Sequence, residues 1–386
     1  MKVTQIYSIL NSVMQETLGS ETVVNEDLTN IVDLGNEVIN TDNVDNYVKK
    51  LVNHIGKVIF KDRIYQGSVP SVLMDSWEFG SVLEKVAADL PAATESDTWK
   101  LEDGKDYSPD IFYQPSVSAK FFNSKVTFEI PLSFTELQVK ESFSNVNQLN
   151  GFLTMLQTAV ENSMTVKLDS LIMRTINNMT GETLSDNNAV RAVNLLSTYN
   201  AEKGQKLTAL QATKDPEFIR YASYMISLYV DRLAKISTLF NVGGKERFTP
   251  ADKLHLVLLS EFAKASDVYL QSDVFHDEKV SLPNYESVPF WQGSGKDYGF
   301  GSTSTIDVKT SSGKTVKKTG ILGVMFDTEA LGVSNLDKRV TTNYNPKAEF
   351  YTNFYKADAG YYNDLNENFV VFYVADATEQ AEKASK

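Results

Sequence analysis

The sequence has no cysteine among its 386 residues. That excludes disulfide bonds and thiolate metal ligands, and it fits a chain made in a reducing cytoplasm. Histidine is scarce as well, with only His54, His255 and His276. No two of them stand at the i, i+4 spacing of a zinc-binding helix. His276, Asp277 and Glu278 are adjacent, and three neighbours on regular backbone cannot all face one ion, so each histidine is read as solvated or structural. Long apolar runs are missing too. Nothing approaches the roughly 18 residues of a membrane span, and the opening Met1 to Ile6 lacks the charged-then-apolar order of a secretion signal. A soluble protein with no membrane partner is expected. Basic charge is in deficit, 37 residues against 50 acidic ones, for a net charge of −13. Tight nucleic-acid binding rests on neutralising phosphates, so a grip on DNA is not expected. An acidic wall could still enclose DNA without sequence-specific binding.

Catalytic loops are absent in the same way. Ser312-Gly313-Lys314-Thr315 imitates the end of a phosphate loop, but Val308 stands where the first glycine of that loop belongs. A hairpin turn is expected there instead. Gly299-Phe300-Gly301 lacks the third glycine and the following helix of a dinucleotide site. No Gly-x-Ser-x-Gly elbow occurs. Aromatic residues crowd between Tyr344 and Tyr373 and could stack on bases. Only Lys347 and Lys356 are basic there, against Glu349, Asp358, Asp364 and Glu367, so packing within a sheet is the better reading. No catalytic residue, cofactor or metal is expected, and the chain is not expected to be an enzyme.

What the sequence does contain is a core. Its hydrophobic content is 42%, and its length suits about two or three domains. The most informative stretch is a pair of alternating strands followed by a very long amphipathic helix. Tyr113 to Phe134 reads as a hairpin around Asn123-Ser124. In that register Phe121 faces Val126, Ala119 faces Phe128, Val117 faces Ile130, Pro115 faces Leu132 and Tyr113 faces Phe134. One face is then apolar, and a one-residue slip would mix the two. Pro115 and Pro131 cannot donate to a ladder, which predicts a free-standing or edge ribbon about 34 Å long. Such a ribbon is marginal alone. Its apolar face, carrying Phe121, Val126, Phe128, Ile130 and Leu132, must lie on its own domain or on another chain, and the second is expected. Asn147 to Met179 then reads as one helix of about 50 Å, with Ser144 or Asn145 as cap and Gly181 as its stop. Its apolar stripe includes Leu156, Val160, Met164, Leu168, Leu171, Ile172 and Met179.

Elsewhere, Ile6, Leu10, Val13, Met14 and Leu18 predict a short helix ending at Gly19, and Val44 to Ile59 predicts another. Asp215 and Pro216 start a helix to Phe240. Leu254 to Leu259 and Ile321 to Phe326 predict buried strands. A short helix is expected from Glu261 to Ala265, and Phe369 to Val374 closes the ordered chain.

This order of parts resembles a tailed-bacteriophage major capsid protein. Four segments carry the likeness to capsid proteins of phages of Gram-positive bacteria: Ser71 to Trp77, Tyr113 to Phe122, Thr127 to Gln138 and Val340 to Phe350. The resemblance implies an α+β fold of the Hong-Kong-97 type. Residues 1–60 would be an N-terminal arm. Residues 61–140 would hold the start of the peripheral domain and an extended loop with the hairpin, and 141–184 the spine helix. The axial domain would span 185–335, and 336–386 would supply closing strands and a tail. It further implies self-assembly through hexamers and pentamers into an icosahedral head around double-stranded DNA, with scaffolding and portal proteins as partners. Assembly would occur in the host cytoplasm, and the finished protein would reside in the virion. The rival readings are an encapsulin-like compartment and a soluble hydrolase built on the Gly-rich loops. Some phages of this fold weld lysine to asparagine. Lys100, Lys105, Lys120 and Lys125 are available here, but nothing marks a partner, so a shell without cross-links is expected.

Overall fold

The computed structural model describes residues 3–18, 24–25, 30, 34, 50, 72–74, 82–91, 93–107, 110–135, 146–271, 283–289, 291 and 305–376. The elements begin with α1 (Val3–Leu18), β1 (Leu73–Met74), β2 (Leu83–Ala88), β3 (Val117–Phe122) and β4 (Lys125–Thr135). Then come α2 (Val146–Ser185), β5 (Ala192–Asn194), α3 (Leu195–Lys203), α4 (Ala209–Ala212), α5 (Pro216–Leu233), β6 (Leu254–Leu259) and α6 (Ser260–Gln271). The rest is strand: β7 (Glu286–Val288), β8 (Ile306–Lys309), β9 (Thr315–Lys318), β10 (Ile321–Asp327), β11 (Leu331–Asn345), β12 (Phe350–Asn363) and β13 (Phe369–Tyr373). They fall into two compact units. The first draws on Met1–Glu78, Lys125–Ile172 and Val333–Gly360, the second on Phe79–Ser124, Met173–Gly332 and Tyr361–Lys386. The predicted helix from Val44 to Ile59, apart from Lys50, which is helical, lies outside the described residues, as do Trp77, His54, His276 and Gly299-Phe300-Gly301.

In the first unit, Leu10, Val13 and Met14 lie on one face of α1, as their spacing dictates, and all three are buried. The four-stranded sheet has the order β1-β11-β12-β4. Along β4 and β12 the side chains alternate. Phe128, Phe134, Tyr351, Tyr355 and Ala357 turn inward and are buried. The outward face carries a polar ladder: Thr127 Oγ1 donates to Asp358 Oδ1 at 2.6 Å, Lys356 meets Glu129 at 3.0 Å and Ser133 meets Thr352 at 2.9 Å. Burial in an apolar setting pushes the Tyr355 hydroxyl up to about 12.

The second unit is built on a five-stranded sheet of order β5-β13-β10-β6-β7. Its central β10 is buried along its whole length, as an uninterrupted apolar run predicts. Helices α3, α5 and α6 join this sheet in one core with Phe218, Ala222, Tyr229, Leu258, Phe262, Met325 and Phe372. Asp215 caps α5 by accepting from Phe218 N–H at 2.8 Å, with Pro216 opening the helix. Ser223 and Ser266, both buried, hydrogen bond across α5 and α6 at 2.9 Å. The segment Ser312 to Thr315 is the turn of the β8–β9 hairpin, where Gly313 takes φ +83°.

Several expectations need correction. The Asn123-Ser124 hairpin does not form. β3 pairs with β2, and β4 pairs with β12 from Gly360↔Lys125 to Phe350↔Thr135. Alternation fixes which face a strand buries, not which strand it joins. A two-residue hairpin turn also needs positive φ, and among the described residues the non-glycine positions with positive φ are Asn187 and Glu349, not Asn123. Helix α2 runs to Ser185, through Gly181. That glycine permits a close approach rather than a stop, since a Cβ there would lie 2.9 Å from Val308 Cγ2. The one-sided stripe also gives way. Val160 and Met164 mark a single face, but from Leu168 to Thr183 most positions are buried all round. Helix α5 ends at Leu233 instead of Phe240, which leaves Ile236 exposed, while Phe240 reaches the core from the following turn. The residues after 336 do not act as one block: β11 and β12 complete the four-stranded sheet, whereas β13 lies in the five-stranded one. His255, read as solvated or structural, takes the structural role: it is half-buried against Phe326, ring centroids 5.6 Å apart, and burial lowers its pKa.

Candidate functional site

The β2–β3 ribbon, with the segment that joins its strands, residues 89–116, belongs, like the β8–β9 hairpin, to neither of the two larger sheets. It belongs wholly to the second unit. The register pairs Leu83 with Phe122, Lys85 with Lys120 and Ala87 with Ser118 on one face. Glu84 with Phe121, Val86 with Ala119 and Ala88 with Val117 make the other. Beyond the strands, Asp89 N–H donates to Ser116 O at 2.9 Å and Ser116 Oγ donates to Asp89 Oδ2 at 2.8 Å, which carries the pairing one step further.

The two faces differ in kind. The inner one is held by charge. Lys85 Nζ lies 3.0 Å from Asp364 Oδ2 and 3.4 Å from Glu367 Oε1, and donates to Glu329 O at 2.9 Å. Lys120 Nζ lies 2.8 Å from Asp364 Oδ1. Farther along, Lys245 Nζ meets Asp89 at 3.0 Å. Burial pushes the Asp364 carboxyl up, but the Lys120 hydrogen bond and the Lys85 charge outweigh it, so its pKa is lowered. Asp89 is lowered too, first by its hydrogen bond to Lys245. At the root, Phe122 packs on Tyr362 with ring centroids 5.0 Å apart.

The outer face is apolar and open. Phe121 is 63% exposed, with Val86, Ala88, Val117 and Ala119 exposed beside it. The joining segment adds Trp99 at 95%, Phe112 at 84% and Tyr113 at 81%. A short 3₁₀ turn from Asp97 to Trp99, capped by Ser96, carries the tryptophan. Aromatic side chains gain the most from leaving water. Exposed apolar side chains on one ribbon and its joining segment are unusual for a surface left in water.

Of the five expected contact residues, Phe121 alone stands on this surface. Val126, Phe128, Ile130 and Leu132 share the inner face of β4 in the first unit, where Phe128 is only 6% exposed and the other three are half-buried. The structure therefore separates Phe121 from the other four. Sequence reasoning put Val117 and Tyr113 on the apolar face of the hairpin but not among the contact residues, and it missed Val86, Trp99 and Phe112. The available signal was the placing of Trp99 and Ile111-Phe112-Tyr113 in a segment otherwise rich in Asp, Ser, Gly and Pro. Among the described residues, no cluster of histidine or carboxylate side chains is arranged to hold a metal ion, and no helix is long and apolar enough to cross a membrane.

Comparison with known proteins gives a family match over residues 8–373, to the Phi29-like phage major capsid protein family. A search of curated proteins gives no match. Among solved structures, the fold is similar to one described as the capsid structure of Staphylococcus phage Andhra. The TM-score is 0.50 at 10% identity, covering 81% of this chain and 86% of that one. The capsid structure of cyanophage P-SCSP1u is similar with a TM-score of 0.47 at 9% identity, covering 82% and 92%. The family match favours the capsid reading over an encapsulin-like compartment and over a hydrolase.

Proposed function

Since the chain belongs to the Phi29-like phage major capsid protein family, we propose that its copies close into an icosahedral head through hexamers and pentamers. The protein is a phage major capsid protein with a Hong-Kong-97-like α+β fold, and it belongs to the virion. The finer reading assigns the second unit's five-stranded sheet and helices to the axial domain. The four-stranded sheet and α2 go to the peripheral domain, and the ribbon to the extended loop. The observation that carries it is the ribbon's open apolar face: Val86, Val117 and Phe121, with Trp99, Phe112 and Tyr113 beyond. An exposed apolar ribbon has no use to an isolated subunit, but it suits a ring-closing contact with a second copy. Scaffolding and portal proteins are the further partners, and assembly takes place in the host cytoplasm. The net charge of −13 supports DNA being enclosed without being gripped.

The shell is held by apolar contact and not by covalent cross-links. Lys120 Nζ is engaged by Asp364, and Lys125 is exposed. The test is negative-stain microscopy of purified protein, alone and with scaffold. Shells or capsomers are expected. A strictly monomeric protein under both conditions refutes the proposal.

A further inference from the structure

Among the described residues the β2–β3 ribbon has no third strand in its sheet, and an isolated pair of strands is marginal in water. Its angle on the second unit is therefore decided by what grips its inner face. Past the Phe122–Tyr362 contact at the root, that grip is ionic. One carboxylate reaches both strands: Asp364 Oδ2 lies 3.0 Å from Lys85 of β2, and Oδ1 lies 2.8 Å from Lys120 of β3. Asp364 is itself fixed. Its N–H donates to Ala330 O at 2.7 Å, and Asn366 N–H donates to its Oδ1 at 3.1 Å. The surrounding charges are accounted for. Glu367 lies between Lys85 and Arg247, and Glu329 takes Lys253 at 3.3 Å. Beside the latch a cleft of about 420 Å³ separates Val86 and Leu90 of the ribbon from Ile236 and Phe248. All four are more than half exposed, so among the described residues apolar packing on that side of the ribbon is slight.

We propose that Asp364 is an electrostatic latch, a positioning residue that sets the angle of the ribbon by pinning its two strands with one carboxylate. Removing the charge loosens the ribbon between the Phe122–Tyr362 root and the Lys245–Asp89 contact at 3.0 Å, while the five-stranded core stays as it is. The inference concerns the single subunit and does not depend on shell closure, so its failure leaves the capsid reading untouched.

Hydrogen exchange on the unassembled full-length chain tests it, comparing the wild type with Asp364→Asn and with Lys120→Met. Lys120 is partly exposed, so its replacement leaves the fold intact even if the first variant does not. Protection over 83–88 and 117–122 is expected to fall about tenfold or more, as losing a hydrogen bond to a charged group implies. Protection in β10 and β13 should be unchanged. Unchanged ribbon protection in Lys120→Met overturns the proposal. A uniform loss through the whole second unit in both variants overturns it as well, since it would mark a merely structural contact.

Discussion

Replacing Phe128 and Phe121 by aspartate separates the chain's own core from its proposed assembly surface. Both were read from sequence as neighbours on one apolar face, yet Phe128 is 6% exposed and Phe121 63%. Truncating a buried phenylalanine typically costs 3–5 kcal/mol. Phe128 lies on an edge strand of its sheet, where the surroundings can partly relax, so about 3 kcal/mol applies for the lost apolar contact. Aspartate, buried as its neutral acid because the ionised carboxylate costs far more, adds the cost of an unpaired polar group, roughly 1–3 kcal/mol on mutational scales. The sum, about 4–6 kcal/mol, is a large part of the stability of an ordinary domain. Phe121→Asp removes little buried area within the subunit, and its effect should stay within about 0.5 kcal/mol. Urea unfolding of unassembled subunits, followed by circular dichroism, measures both. Sedimentation under assembly conditions measures the rest. Phe128→Asp is expected to unfold early. Phe121→Asp is expected to melt like the wild type and fail to form shells. Equal destabilisation by both variants would refute the reasoning, as would a stable Phe128→Asp subunit that fails only in assembly.

Gly181→Ala should destabilise by about 1–3 kcal/mol through overpacking, because the new Cβ meets Val308 Cγ2 at 2.9 Å; adding Val308→Ala should restore most of the loss in a urea titration, and no restoration would contradict the contact. Leu156→Pro interrupts α2 at a cost of about 3 kcal/mol or more and should give insoluble protein; soluble, assembling protein would show that no continuous helix passes that residue. The pKa of Asp364 is lowered, so its contribution to the latch is complete above the ordinary aspartate value of about 3.9 and disappears as pH falls through the depressed value. Ribbon protection factors should accordingly hold at pH 5 and above (roughly a unit clear of the ordinary value), and a loss already in that range would count against the pairing. Mature particles boiled in detergent should run as one band near 43.1 kDa; a ladder of heavier bands would reveal cross-links and direct attention to Lys120 and Lys125.

Local signals carried much of the fold in the sequence. The stripe of α1, the Asp215-Pro216 start of α5 and the apolar runs of β6, β10 and β13 each depend on a few adjacent residues, and each appears where expected. Non-local choices were not legible. The alternation of β4 suited β3 and β12 equally well, and only the whole sheet decides between them. Gly181 looked like a helix stop because its reason lies in Val308, far along the chain. The end of α5 at Leu233 depends on the turn that brings Phe240 back to the core. The proposed assembly surface was half legible for the same reason. Phe121 is visible as an apolar residue on an alternating strand, but its exposure follows from the pairing of β3 with β2. The Asp364 latch joins residues far apart in sequence and leaves no local trace.

The most direct test of the account is a cryo-EM map of the assembled protein at side-chain resolution. The expected result is a closed icosahedral shell of pentamers and hexamers in which Val86, Val117 and Phe121 of one copy are covered by another. A shell that leaves this face in solvent, or protein that forms no shell at all, would contradict it.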